Sequence, residues 1–165
     1  MRGGSFSHPG TQKIGRLELK RRSLVLAAAG LLSMALTPLA RAASVVNVTQ
    51  EDPSAGHGIK HMALVVSPQR VKAGEIVFHI RNISKDLTHE VLVIKPPAKL
   101  SDMPYSRKQN RLIESKIDKL ADSGSQKPGQ SYTMKVPLKP GKYLLICNQP
   151  GHYRAGMHTW LTVTH

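Results

Sequence analysis

The chain has 165 residues, with 24 Lys and Arg against 10 Asp and Glu for a formal charge of +14, and is 40% hydrophobic but only 4% aromatic. The basic residues are scattered and lack interleaved aromatics, which excludes a nucleic-acid-binding stripe and leaves the charge to steer the protein toward an acidic partner or an anionic membrane face. A single cysteine excludes an internal disulfide.

Residues 1–42 read as an export signal. Lys20-Arg21-Arg22 precedes an uncharged run over 23–40, rich in Leu and Ala, which closes on the small-x-small pattern Ala40-Arg41-Ala42. The paired arginines and polar lead-in point to the twin-arginine route of bacterial export, hence to a periplasmic protein. Gly30 and Pro38 interrupt the apolar run, which makes it marginal as a membrane span. From Ala43 onward 17 Lys and Arg stand against 9 Asp and Glu, a net of +8. That remainder, 43–165, is long enough for one domain with a core. A lone thiol exported into an oxidising compartment is a liability unless something occupies it.

Short apolar, β-branched runs at 45–49, 63–66, 75–81, 89–94, 131–136, 142–147 and 159–164 predict strands. Ile76, Phe78 and Ile80 share one face, with Val77, His79 and Arg81 on the other. Turn chemistry separates the runs at Ser67-Pro68, Ala73-Gly74, Lys127-Pro128-Gly129 and Lys139-Pro140-Gly141. The whole reads as an all-β fold, an antiparallel β-sandwich. One segment, 97–125, breaks the rhythm. Leu112, Ile113, Ile117 and Leu120 fall near one face of a helix predicted over 106–121, ended by Asp122-Ser123-Gly124-Ser125 and packed on the sandwich edge.

The segment Cys147-Asn148-Gln149-Pro150-Gly151-His152-Tyr153-Arg154-Ala155-Gly156-Met157 concentrates the chemistry. Cys147 would end one strand and Met157 would precede the last. Pro150-Gly151 and Gly156 let the chain fold back between them. His89, at the start of another strand, is a candidate fourth member. Singly, each has an ordinary explanation: a buried thiol, a strand-end imidazole, a core thioether. Together, a soft thiolate, two imidazoles and a thioether suit a copper ion that changes between Cu(I) and Cu(II). His57, His61, His158 and His165 read as solvated surface residues, and His79 as outward-facing or hydrogen-bonded within its strand.

These residues give the chain a resemblance to the cupredoxins, the small blue-copper family of plastocyanin and azurin. The Cys-x4-His-x4-Met spacing is most similar to auracyanin and rusticyanin loops. Ser67-Pro68, Lys72-Ala73-Gly74-Glu75 and Asn82 resemble early cupredoxin strands. The resemblance implies a Greek-key sandwich over 43–165 and one type 1 copper held by His89, Cys147, His152 and Met157. It also implies single-electron exchange with a redox protein such as a c-type cytochrome or a terminal oxidase or reductase, with His152 as the solvent-edge ligand. The family commonly has Asn or Ser after the first His, where this chain has Glu90. Glu90 is expected to reach the Asn148 region and, as an anion, to lower the reduction potential.

Two other functions stand beside that reading. A copper carrier or resistance protein would favour an open, Met- or His-rich site, and Met62, Met103, Met134 and Met157 form no cluster in sequence. Multicopper oxidases flank the type 1 Cys with histidines, whereas Cys147 lies between Ile146 and Asn148; a binuclear copper site would need a second Cys. No enzyme activity and no small-molecule substrate are therefore expected.

Overall fold

In the computed structural model the described residues are 42–56 and 61–165. The export signal expected over 1–42 lies outside them but for Ala42, as does His57. Among the described residues no helix is long and apolar enough to cross a membrane.

The strands are β1 (Ser44–Glu51), β2 (Ala63–Ser67), β3 (Arg70–Lys72), β4 (Gly74–Asn82), β5 (His89–Lys95), β6 (Tyr105–Ser106), β7 (Arg111–Leu112), β8 (Asp118–Gln126), β9 (Ser131–Leu138), β10 (Gly141–Ile146) and β11 (His158–Thr164). One sheet has the order β2-β1-β4-β9, a second β3-β11-β10-β5-β8, and β6-β7 form a small hairpin. All seven expected strands form, each within two residues of the expected ends. The pairing is mixed rather than purely antiparallel, because β1 runs parallel to β4 and β3 parallel to β11. After β2 the chain crosses to the other sheet as β3. It then returns as β4 in the direction of β1, which places two parallel neighbours side by side.

The alternation in β4 does what the sequence requires. Ile76, Phe78 and Ile80 are buried between the sheets while His79 and Arg81 face solvent. His79 Nδ1 lies 3.1 Å from Thr133 Oγ1 on the neighbouring strand β9. The inter-sheet core joins Val46, Val48, Leu64 and Phe78 of one sheet to Val91, Val93, Leu145 and Leu161 of the other.

The central strands β5 and β10 are buried on both faces. Leu92, Ile94, Leu144 and Ile146 point away from the main core into a second cluster, with Met103 and Leu112, against which Leu100, Tyr105, Ile117 and Tyr153 pack. Covering each such aliphatic side chain stabilises by about 1.5–3 kcal/mol. The cover comes from the insertion, but not as the expected helix over 106–121. That stretch holds the β6–β7 hairpin, a short 3-10 turn at Glu114–Lys116 and the start of β8. Asn110, with φ 52, takes the left-handed conformation in the hairpin turn, which no α-helix accommodates. The stronger cause is hydrogen bonding. The side of β5 away from β10 would leave a row of buried backbone groups unpaired, and β8 pairs with it over Asp118–Gln126, with register shifts. Asp122-Ser123-Gly124-Ser125 therefore lies inside a strand rather than ending a helix. Leu120, assigned to the apolar helix stripe, is exposed.

Candidate metal centre

Strand ends gather the site. His89 opens β5 and Cys147 follows the last residue of β10, whose Ile146 is paired with Leu92 of β5. From Cys147 the chain makes a tight loop and re-enters as β11 at His158. The Cys147 N–H donates to the Met157 carbonyl at 2.9 Å, the Met157 N–H to the His152 carbonyl at 3.0 Å, and the His152 N–H to the Gln149 carbonyl at 3.0 Å. Gly151 and Gly156, with φ of 88 and 94, supply the left-handed turns this closure needs.

Three donor atoms converge. His89 Nδ1 and His152 Nδ1 are 3.1 Å apart, and Cys147 Sγ is 4.0 Å from the first and 3.4 Å from the second. A triangle with these edges has a point about 2.1 Å from every corner, close to the bond a metal makes to imidazole nitrogen and slightly short for sulfur. The donor set and its spacing thus fit one metal ion. His89 and Cys147 are wholly buried, whereas His152 retains 9% exposure. Met157 is wholly buried in the core beneath the loop. The structure brings His89, Cys147 and His152 together, and the backbone bond from Cys147 to Met157 fixes the fourth expected residue beside them.

The electrostatics leave the imidazoles ready to coordinate. Burial, with repulsion from His89, lowers His152 to about 4 against the opposing pull of Asp52. Burial likewise lowers His89, while Asp52 and Asp86 raise it. Both rings are therefore neutral at pH 7. Burial pushes the Cys147 thiol up to about 12, although the N–H groups of Glu90 and Gln149 favour its thiolate. A bound cation reverses that balance and displaces the thiol proton.

Asp52 is the component that sequence reasoning missed. It is wholly buried, and its Oδ2 lies 2.9 Å from His89 Nε2. Its Oδ1 accepts from the Ser54 N–H at 2.7 Å, capping the turn Pro53–Ala55. Burial alone would raise this carboxyl, but hydrogen bonds from Ser54, Ser84 and His89 overcome it and hold the value at about 2. A fixed anion on Nε2 keeps that nitrogen protonated and leaves the Nδ1 lone pair facing Cys147 and His152. The only local signal was Asp52-Pro53-Ser54, a cap pattern. Nothing in it points 37 residues ahead to His89.

Glu90 and Asn148 flank the site with different tasks. Glu90 is 8% exposed, with its Oε1 buried and without a hydrogen-bond partner. Burial raises its carboxyl, reinforced by Asp122 and Glu114 and opposed by Arg111 and the Asn148 N–H. Asn148 directs its side chain to the insertion. Its Oδ1 accepts from the Leu112 N–H at 2.8 Å, and its Nδ2 donates to the Leu112 carbonyl and to Glu114 Oε1. It thereby ties the insertion to the ligand loop. Of the remaining histidines, His61 is exposed and His158, at the start of β11, is half-buried with its ring 5.0 Å from that of Tyr153.

A two-sheet sandwich holding one thiol and one imidazole at strand ends, with a second imidazole in the adjoining loop, defines a mononuclear metal protein whose donors suit copper. The chain belongs to the copper binding proteins of the plastocyanin/azurin family, whose sequence pattern matches residues 52–164. Auracyanin-B of Chloroflexus aurantiacus is 33% identical over 107 residues, a stretch covering 65% of this chain and 37% of that relative; the chain thus spans little more than a third of its length. Among solved structures, a dithionite-reduced auracyanin from Roseiflexus castenholzii superposes with a TM-score of 0.54 at 17% identity, covering 75% of this chain and 98% of its own. Reduced rusticyanin gives 0.52 at 18%, covering 73% and 78%. At these identities the structures establish the shared fold.

Proposed function

We propose that the chain is an exported carrier of single electrons, holding one copper ion through His89 Nδ1, Cys147 Sγ and His152 Nδ1, with Met157 as the weaker fourth ligand. The observation that carries this reading is the convergence of those three atoms around one point at bonding distance. When bound, copper supplies reversible one-electron chemistry between Cu(I) and Cu(II). The protein holds the donors fixed. Asp52 orients His89, the Glu90 and Gln149 N–H groups face the sulfur, and the Cys147–Met157 hydrogen bond closes the loop. A rigid donor set changes little between the two charge states, so little reorganisation accompanies each electron.

His152 is the donor that reaches the surface, which makes its ring the exit toward a redox protein such as a c-type cytochrome or a terminal oxidase or reductase. Burial of the other donors argues against a site built to release its ion, as a copper carrier would need. The basic-apolar-small order of residues 1–42 supports export and a periplasmic location. The test is a visible spectrum of the protein from Ala43 onward after loading with Cu(II). The expected result is an intense thiolate-to-copper band that disappears in Cys147→Ser. A colourless adduct, or a band that survives Cys147→Ser, would refute the ligand set.

A further inference from the structure

The rim beside His152, the least buried donor, is basic in a way the sheet architecture does not require. The β6–β7 hairpin turns through Arg107-Lys108-Gln109-Asn110, all four exposed, directly against the ligand loop. The Gly151 N–H donates to the Asn110 carbonyl at 2.6 Å, one residue before His152. From the loop itself Arg154 lays its guanidinium 4.1 Å above the ring of Tyr105, the first residue of the hairpin. Tyr105 in turn donates its hydroxyl to Asn110 Oδ1. These contacts tie the hairpin turn that carries Arg107 and Lys108 to the loop that carries Arg154, so three cations share one rim.

Their charge is uncompensated. Among the described residues, none of the three forms an ion pair, whereas neighbouring Arg111 pairs with Glu114. No Asp or Glu occurs within 103–113 or within 123–165, the stretches that build the hairpin and the ligand loop. We propose that the hairpin turn and Arg154 form a docking face for the carboxylate-rich surface of an acidic redox protein, placing that partner beside His152. This rests on the electron-carrier reading above and adds the chemistry of its partner. Guanidinium groups pair bidentately with carboxylates, and cations at the exit accelerate encounter with an acidic face.

The test compares two poles of the same molecule. Lys95 ends β5, Lys142 lies at the start of β10 and Lys139 in the turn before it, about 20 Å from the donors by strand length. At 0.1 M salt the screening length is about 10 Å, so charges there act weakly at the exit. The copper-loaded, reduced protein is oxidised in a stopped-flow instrument by hexacyanoferrate(III), with and without poly-glutamate as competitor. Reversing Arg107, Lys108 and Arg154 to Glu is expected to slow oxidation about tenfold or more and to abolish competition by poly-glutamate. Reversing Lys95, Lys139 and Lys142 changes net charge equally and is expected to slow it less than about twofold. The double variant Arg107→Glu/Lys108→Glu keeps the Arg154–Tyr105 stack and is expected to show most of the loss, with an unchanged visible band. Equal slowing by the two triple variants would overturn the docking face, leaving only net charge. Anionic phosphatidylglycerol vesicles that compete better than poly-glutamate at equal charge would reassign the face to a membrane and overturn the protein partner. A wild-type chain that binds copper but exchanges no electron with hexacyanoferrate would refute the carrier reading and this one with it.

Discussion

Exchanging Asp52 for Asn removes one buried negative charge while keeping the size of the side chain, and its consequences can be followed atom by atom. Asp52 Oδ1 accepts from the Ser54 N–H and Oδ2 faces His89 Nε2. An amide supplies one acceptor and one donor. If the acceptor stays with Ser54, its NH₂ confronts the Nε2–H of His89, and relief requires the imidazole proton to move to Nδ1, the atom that faces Cys147 and His152. If the amide turns over, the Ser54 N–H loses its cap. A carboxyl held at about 2 in place of its ordinary 3.8 corresponds to about 2.5 kcal/mol of stability for the copper-free fold. Because the folded value lies below the unfolded one, that contribution is fully present above pH 3.8 and is lost as pH falls toward 2. Urea unfolding of the copper-free Asp52→Asn protein should show a loss of about that size at pH 7, shrinking toward zero near pH 2. In the loaded protein, loss of an outer hydrogen bond to a ligand imidazole typically weakens metal binding about 10–100-fold. Removing an anion penalises Cu(II) more than Cu(I), so the reduction potential rises, by about 59 mV for every tenfold difference between the two affinities. Chelator competition in both oxidation states, with voltammetry, measures this directly. Copper affinities within twofold of wild type and an unchanged potential would show that the carboxylate neither orients His89 nor is felt by the ion.

Three other outcomes are expected. With both imidazoles neutral at pH 7 and Cys147 held at about 12, copper loading between pH 7 and that limit should release one proton, so apparent affinity rises about tenfold per pH unit; calorimetry in buffers of different ionisation enthalpy counts it. Burial raises the Glu90 carboxyl above its ordinary 4.5, so the potential should step down as pH rises through the raised value and the carboxyl ionises; Glu90→Gln should hold the potential at its acid-side level at every pH. Asn148→Ala leaves the buried Leu112 N–H and carbonyl unpaired and should cost about 2–3 kcal/mol in denaturant unfolding, together with faster amide exchange in 105–117 than elsewhere.

What could be read from the sequence was whatever is written in adjacent residues. The strict alternation of Ile76, Phe78 and Ile80 placed β4 correctly because a half-buried strand needs only its own side chains to declare its face. The ligand loop was legible for a similar reason: Cys147, His152 and Met157 share one short turn, and Gly151 and Gly156 mark where it bends. Only His89 had to be brought in from a distance, and its place at the head of an apolar strand was sufficient. The helix expected over 106–121 failed because its apolar residues answer to something outside the segment. Leu112 and Ile117 cover the outer faces of β5 and β10, and 118–126 complete the hydrogen bonds of β5. Asp52 was invisible for the same reason, since its partner lies across the sandwich.

The insertion over 97–125, expected to hold a helix and found as strands and turns, bears on the site as well as on packing. Without it the outer faces of β5 and β10, the strands that carry His89 and Cys147, would be open to water, and the free side of β5 would lack a partner. With it, Asn148 clasps Leu112 at one end of the ligand loop while Gly151 bonds to Asn110 and Arg154 stacks on Tyr105 farther along. The loop is thus held by the sheet at Cys147 and Met157 and by the insertion between them. That double support holds the donor triangle in one geometry. The same hairpin lies beside His152 through the Gly151–Asn110 bond, so one segment stiffens the site and borders its least buried donor.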